Sequence, residues 1–489
     1  MQKGNEGCCD TPTGKHAPVT GGKNHRKIDF SKIRTVGLLG FGSSNRGAYE
    51  YLRRKYPHLE FILRDEGYLG GNKTAAKQVL HNRSQEGEFI RCYFGTEALR
   101  DINEELILLS PSVRREREEI EKIRESGTVL SSDLEIFLSE YCGELICVSG
   151  SDGKSTTTYL ISEMLKLSGY PAVPSGNFGL SLCSLLGTPS LPVIELSSFQ
   201  LSYALPEADI AAVTNITKNH LDWHKSFEEY KNAKLSLIRG AKRAVIDADC
   251  PILLKASAEC RTFCACSTRL VYKDLCKLLF ANYYITADSQ SIYINGEPTI
   301  PVSAIKRREE YNLKNMLLAI GMTLGNATPC AIYQAVSQFR GLPHRAELVA
   351  EHKGIRYINS SIDTTPERTV NTISHADAPC IAIIGGKSKG LSLEKLLVTL
   401  KKNTAGAILL GEVGYELMEL IRNDESLRDY PHFLAEDLYS AIKLGREKLT
   451  RGGTLLLSPA ATSYDRYRSF EERGEDFRRQ VRRLIDSED

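Results

Sequence analysis

Three successive α/β domains, each built on a largely parallel sheet, are the fold class this sequence predicts. Three observations carry the prediction. Short apolar runs recur along the chain, separated by stretches of helical pattern, as parallel strands joined by crossover helices require. Several of those runs open directly into glycine-rich or hydroxyl-rich turns. A length of 489 residues also exceeds what a single hydrophobic core usually serves.

Residues 1–30 hold too little apolar surface to offset the entropy of ordering, so a disordered extension is expected there. The first unit starts with a strand at 33–39, followed by the glycine turn Gly40-Phe41-Gly42-Ser43-Ser44-Asn45-Arg46-Gly47 and a helix at 48–55. A second strand at 61–64 ends in Asp65-Glu66. Strand, glycine turn, helix, strand and acid form the Rossmann-type βαβ pattern, which suits a nucleotide or nucleotide sugar. Gly40 and Gly42 fit the GxG spacing, while Asn45 stands at the third glycine position. A further strand at 106–109 ends in Ser110-Pro111-Ser112.

The second unit starts near Ser132. Its strand at 145–148 feeds Gly150-Ser151-Asp152-Gly153-Lys154-Ser155-Thr156, which opens a helix reaching about residue 167. Glycines let the backbone approach phosphate oxygens, and a helix N-terminus aims N–H groups at an anion. Lys154 adds charge, and Ser155 or Thr156 offers a hydroxyl to Mg²⁺. The spacing is shorter than GxxxxGK[ST], but the setting points to an ATP-using enzyme. Glu195 ends a strand at 192–195, where a carboxylate suits a hard cation. Another strand, 210–213, leads through Thr214-Asn215 to His220, a candidate for metal or substrate, and Lys234 follows on a helix with Tyr230. Residues 266–303 alternate around Asn295-Gly296 as hairpins do, and a helix spans about 312–324.

The third unit begins at Gly341-Leu342-Pro343, with strands at 356–358, 380–384, 407–410 and 454–457. Two of its turns, Gly385-Gly386-Lys387-Ser388-Lys389-Gly390 and Ser458-Pro459-Ala460-Ala461-Thr462-Ser463-Tyr464-Asp465, suit capture of an anion such as a carboxylate.

Composition narrows the class. Apolar residues make up 42% and charged residues 25%, and the net charge of +2 gives no basic surface for nucleic acid or an anionic membrane. No run reaches the roughly 18–20 apolar residues of a membrane span, and the first thirty residues lack the apolar core of a signal peptide. The 13 cysteines are scattered, which reads as free thiols in a reducing cytoplasm.

Taken in order, VSGSDGKSTTT (148–158), GNFGL (176–180), ELSSFQL (195–201), TNITKNHLDWH (214–224), NLKN (312–315), GLPHRAEL (341–348) and LSPAATSYDRYRSFEERGEDF (457–477) resemble the motifs of the Mur ligase family, in its D-glutamate-adding branch. The resemblance runs from about residue 33 to the C-terminus. It implies a Rossmann-like UDP-binding domain (31–132), a central P-loop-type ATPase domain (133–340) and a Rossmann-like C-terminal domain that takes the amino acid (341–489). It also implies a monomeric cytoplasmic enzyme that phosphorylates the carboxylate of UDP-N-acetylmuramoyl-L-alanine with ATP and joins it to D-glutamate.

Residue by residue, the resemblance gives Lys154 the ATP phosphates, with Gly150, Ser151, Asp152, Gly153, Ser155, Thr156, Asn312, Asn315 and Arg345 around ATP. Two Mg²⁺ ions would be held by Ser155, Glu195, His220 and Lys234, the last as a carbamate; Lys154, His220 and Lys234 form the implied catalytic set. Ser43, Ser44, Asp65, Ser110, Asn177 and His220 would line the UDP-sugar site, and Lys389, Ser463, Tyr464 and Phe470 the D-glutamate site. The chain departs from the family in three places. Lys218-Asn219 replaces an acidic pair and Tyr311 a histidine. Ser360-Ser361-Ile362-Asp363-Thr364 replaces DSKAT, losing its lysine and leaving Asp363 as a displaced acid. Two alternatives stay open: a related ligase with another amino acid or with folate, and a non-catalytic nucleotide-sugar-binding regulator.

Overall fold

The computed structural model describes residues 28–66, 89–218, 223–388, 391–463, 465–467 and 469–487. Residues 1–27 of the expected extension lie outside these, as do His220, Lys389 and Tyr464.

The apolar runs form three sheets. The first contains β1 (Thr35–Leu39), β2 (Glu60–Asp65), β3 (Arg91–Phe94), β4 (Leu106–Leu109) and β5 (Val129–Ser131), all parallel in the order β3-β2-β1-β4-β5. Strand order reverses between β1 and β4, so a crevice opens above their C-terminal ends. The following helix, Ser43–Lys55, begins five residues before the position expected from sequence. Gly47 is therefore a helical residue, not a turn residue. It lies against Ser181, whose Oγ would be 1.8 Å from any added Cβ, so the glycine serves close packing between the first and second units. Asn45, 1% exposed, donates its Nδ2 to the carbonyls of Gly40 (2.7 Å) and Leu108 (3.0 Å), tying β1 to β4.

The second sheet contains β6 (Ile146–Ser149), β7 (Ala172–Gly176), β8 (Leu191–Glu195), β9 (Ile210–Val213), β10 (Arg243–Asp247), β11 (Phe263–Ser267), β12 (Tyr283–Ala287), β13 (Ser291–Ile294) and β14 (Glu297–Pro301). Its order is β14-β13-β12-β11-β10-β9-β6-β8-β7. Only β12, β13 and β14 pair antiparallel, with Asn295 and Gly296 at φ 51° and 88° making the tight turn. The hairpin region is thus shorter than the alternation at 266–303 suggests, because β11 joins the parallel array.

The third sheet contains β15 (Glu347–His352), β16 (Ile355–Asn359), β17 (Cys380–Gly385), β18 (Gly406–Leu410), β19 (His432–Leu434) and β20 (Gly453–Leu457), in the order β15-β16-β20-β17-β18-β19. All pairs are parallel except β15 with β16. Leu52, Phe137, Leu182 and Ile194 belong to one continuous core shared by the first two sheets, whereas the third sheet has separate cores on its two faces. The described cysteines are all free, and among the described residues no helix is long and apolar enough to cross a membrane.

Candidate active site

β6 lies between β8 and β9, so the loop that leaves it is flanked by the ends of both neighbours. Gly150 (φ 143°) and Gly153 (φ 78°) adopt backbone angles that disfavour side chains, and the space is closed as well. A Cβ on Gly150 would lie 1.9 Å from Thr214 Oγ1, and one on Gly153 would lie 2.2 Å from Asn315 Oδ1. Asn215 braces the loop from β9, its Oδ1 accepting from Asp152 N (3.0 Å) and its Nδ2 donating to Asp152 O (3.1 Å). The helix Lys154–Leu167 starts with Gly153 as N-cap and no side-chain cap. Its first-turn N–H groups thus remain available to an anion.

Lys154 donates to Ser151 O at 2.7 Å, which holds its ammonium over the loop. Burial pushes its pKa down, against the attraction of Glu195 and Asp152. Glu195 ends β8, 4% exposed, and its Oε2 is buried with no hydrogen-bond partner among the described residues. A buried, unpartnered carboxylate oxygen beside a phosphate loop fits a hard divalent cation, which prefers oxygen donors. Asn177 sits beside it, donating its N–H to the Glu195 carbonyl at 3.1 Å. Ser155 lies in the first turn of the same helix and can add a hydroxyl.

Lys234 projects from the helix Phe227–Gly240, 2% exposed, and donates to Gly150 O at 2.7 Å. Burial first, and then the Lys154 charge, lower its pKa to about 7. Its neighbour Tyr230 meets Ser151 Oγ at 2.7 Å. The Ser151 hydroxyl is therefore committed to bracing the loop, and only its backbone remains for a phosphate. Ser198 Oγ lies 2.9 Å from His224 Nε2, linking ELSSFQL to the end of TNITKNHLDWH. Asn312 and Asn315, 4% and 5% exposed, share the helix Glu310–Thr323 packed against the phosphate-loop helix. Among the described residues no three His, Cys, Asp or Glu side chains converge as a metal cluster. Any metal donor set from them would have to combine Glu195 with hydroxyl or modified-lysine oxygens.

Arg345 arrives from the third unit. In GLPHR, His344 turns inward at φ 59° and 5% exposure. Its Nδ1 faces Asn359 Nδ2 at 3.0 Å, and burial pushes its pKa down, which fits a neutral ring accepting from the amide. Arg345 extends the other way, into a crowded but solvent-open cleft. Crowding and Arg368 lower its pKa, while Glu195, Asp363 and Asp152 oppose that shift. The motif thus spends its histidine on anchoring and directs its arginine toward the phosphate loop.

The two turns of the third unit expected to capture an anion meet. Lys387 N donates to Thr462 O (3.0 Å) and Thr462 N to Lys387 O (3.1 Å). Ser463 is 2% exposed, and the Phe470 carbonyl accepts from Ser361 Oγ at 2.7 Å. In the first unit, Ser43, Ser44 and Ser110 stand at the β1/β4 crevice and Asp65 at the end of β2. Ser44 also bonds the buried Asp133 carboxyl, whose pKa burial raises to about 6.

Sequence reasoning missed Arg473. It is 4% exposed and donates to Ser361 Oγ (3.0 Å), Ser361 O (2.9 Å) and Ala461 O (3.1 Å), fastening two of the third unit's loops together. The signal that could have found it is its place inside the 457–477 motif, which the other arginines of the helix Phe470–Asp486 lie beyond.

The family described as Mur ligase middle domain matches residues 148–323, the segment from β6 through the helix of Asn312 and Asn315. A protein of Clostridium tetani named UDP-N-acetylmuramoylalanine–D-glutamate ligase is 30% identical over 469 residues, covering 93% of this chain and 99% of that protein. One of the same name from Symbiobacterium thermophilum is 32% identical over 459 residues, covering 92% and 98%. The crystal structure of the UDP-N-acetylmuramate–alanine ligase from Thermotoga maritima shares the fold at TM-score 0.50 and 15% identity, covering 93% of this chain and all of that one. With relatives of 30% identity or more matched along nearly their full length, the chain belongs to the Mur ligase family.

Proposed function

We propose that this protein is the ATP-dependent ligase that joins D-glutamate to UDP-N-acetylmuramoyl-L-alanine in a cytoplasmic step of peptidoglycan precursor synthesis. One observation carries the reading. Lys154, Lys234 and the unpartnered Glu195 Oε2 converge around one phosphate loop, and Arg345 approaches from another sheet.

Transfer of a phosphoryl group to a carboxylate crowds negative charge, so fixed cations lower the barrier. Lys154 and Arg345 hold the ATP phosphates, with the free N–H groups of the helix Lys154–Leu167 completing the cradle. Asn312 and Asn315 contact ATP from the neighbouring helix. The substrate carboxylate, once phosphorylated, is attacked by the D-glutamate amine, and phosphate leaves. Glu195 and Ser155, with His220 and carbamoylated Lys234, would hold two Mg²⁺ ions, which when bound neutralise phosphate charge. Lys234 is suited to carbamoylation because a neutral amine adds to CO₂ with loss of a proton.

In this reading residues 31–132 bind the UDP-sugar through Ser43, Ser44, Asp65, Ser110 and Asn177, residues 133–340 bind ATP, and residues 341–489 bind D-glutamate through Lys389, Ser463, Tyr464 and Phe470. The enzyme works as a monomer. The test is phosphate release from ATP by the purified protein with UDP-N-acetylmuramoyl-L-alanine and a panel of D- and L-amino acids. Release that depends on D-glutamate is expected; release with none of the panel, or only with another amino acid, sinks the reading.

A further inference from the structure

A cleft of about 390 Å³ runs along one face of β16 and β20 beneath the helix Pro366–Ser374. Its floor includes Ile358, Ile362 and Leu456, and its rim includes Arg345, Arg368 and, from the second unit, Arg307. The cations differ in how they are balanced. Arg307 pairs with Glu309 at 3.1 Å. Among the described residues Arg345 and Arg368 have no carboxylate within ion-pair distance. Two acids line the cleft: Asp377 pairs with Arg356, and Asp363, whose Oδ2 accepts from Ser458 Oγ at 2.8 Å, acts on Arg345 through its charge. Two guanidiniums therefore share one rim with the single carboxylate of Asp363, leaving one positive charge in excess, and Arg368 lowers the Arg345 pKa against the pull of Asp363. An anion between them balances that excess.

The two arginines face different groups. Arg345 feels the negative charges of Glu195 at the end of β8 and Asp152 in the 150–156 loop. Arg368 belongs to the third unit, where one of its N–H groups donates to Ile362 O at 3.1 Å and, among the described residues, its remaining donors have no partner. Ile362 stands where the DSKAT segment would carry a lysine, and Arg368 follows six residues later in the first turn of the helix Pro366–Ser374. The apolar floor suits methylene groups beneath a charged end.

We propose that Arg368 binds the side-chain carboxylate of the incoming amino acid and sets the preference for an acidic one. The inference rests on the ligase reading above and adds the residue that substitutes for the lost lysine. A rival role is a loop clamp, in which Arg368 serves only to hold Ile362.

The test is steady-state kinetics on the full chain with R368Q, R368A and R368K. Losing a charged hydrogen bond raises KM for D-glutamate about tenfold to a hundredfold. The KM values for ATP and the UDP-sugar stay unchanged, the preference for D-glutamate over D-glutamine collapses, and R368K restores part of it. An unchanged KM for D-glutamate, or equal loss toward all three substrates in R368Q and R368K at wild-type melting temperature, overturns the proposal in favour of the clamp. The phosphate anion is the other candidate for this rim, and a rise confined to the ATP KM would identify it and overturn the proposal. The wild type is measured first. If it consumes no ATP with D-glutamate, the ligase reading itself has failed; if it does and R368Q keeps its D-glutamate KM, only the role of Arg368 has.

Discussion

Lys234 Nζ lies 2.7 Å from the Gly150 carbonyl oxygen, joining a helix to the phosphate loop across 84 residues of sequence. Burial, then the charge of Lys154, lowers the lysine pKa to about 7 from 10.5. The neutral amine therefore dominates above about pH 7 and is lost as pH falls through that value. Since only the neutral amine adds CO₂, ligation in bicarbonate-supplied buffer should hold above pH 7 and decline below it. A pH–rate profile, with intact-mass detection of one added CO₂, checks this.

The same shift has a stability consequence in the unmodified protein. Between about pH 7 and 10.5 the unfolded lysine binds a proton that the folded one does not, so stability rises with pH across that window. Relative to Lys234→Met, the wild type should gain stability from pH 7 to 10. Denaturant melts at several pH values in CO₂-free buffer measure it, and parallel curves for the two proteins would refute the expectation.

Lys154→Ala should leave the fold intact while ligation falls about 10²–10³-fold, the usual cost of one charge-stabilising group at such a site. Among the described residues the Lys154 ammonium donates to Ser151 O at 2.7 Å, so its loss frees that carbonyl. Circular dichroism and phosphate release, run together, separate folding from chemistry.

Glu195→Gln removes a buried negative charge whose Oε2 has no partner. The Mg²⁺ concentration for half-maximal activity should rise about tenfold or more, while the melting temperature without Mg²⁺ should change little, because the amide keeps the side chain's shape and the lost attraction to Lys154 is offset by relief of a buried oxygen with no hydrogen bond. Titration of activity with Mg²⁺ is the measurement. An unchanged requirement would remove Glu195 from the metal site.

In the first sheet, Arg64 and Glu104 are each 1% exposed and joined at 2.6 Å (Nε–Oε1) and 3.1 Å (Nη2–Oε2). Glu104→Ala leaves the guanidinium buried with only backbone carbonyls as partners, Ala98 O and Arg100 O at 2.9 Å and Asp101 O at 3.3 Å, and should cost about 3 kcal/mol. Urea unfolding of the full chain should show the loss in the transition that reports the first two units, since they share a core.

Much of the fold was legible because parallel strands buried on both faces leave continuous apolar runs, and β4, β6, β9 and β20 read plainly for that reason. β3, β5 and β19 did not, being three or four residues long at or near sheet edges, where burial is partial. The helix Ser43–Lys55 was read as starting late because glycine signals a turn in sequence, whereas Gly47 answers to Ser181 across a contact no local pattern encodes.

By itself the sequence determined the phosphate loop, the order of the units and the residues that stand at strand ends, because backbone conformation and strand burial are local or periodic properties. Tertiary structure alone decided which of those residues meet. It placed Lys234 on the Gly150 carbonyl, left Glu195 Oε2 without a partner, committed the Ser151 hydroxyl to Tyr230, and set Arg345 beside Arg368. Desolvation and charge proximity depend on distances between residues far apart in the chain, and only packing sets those distances.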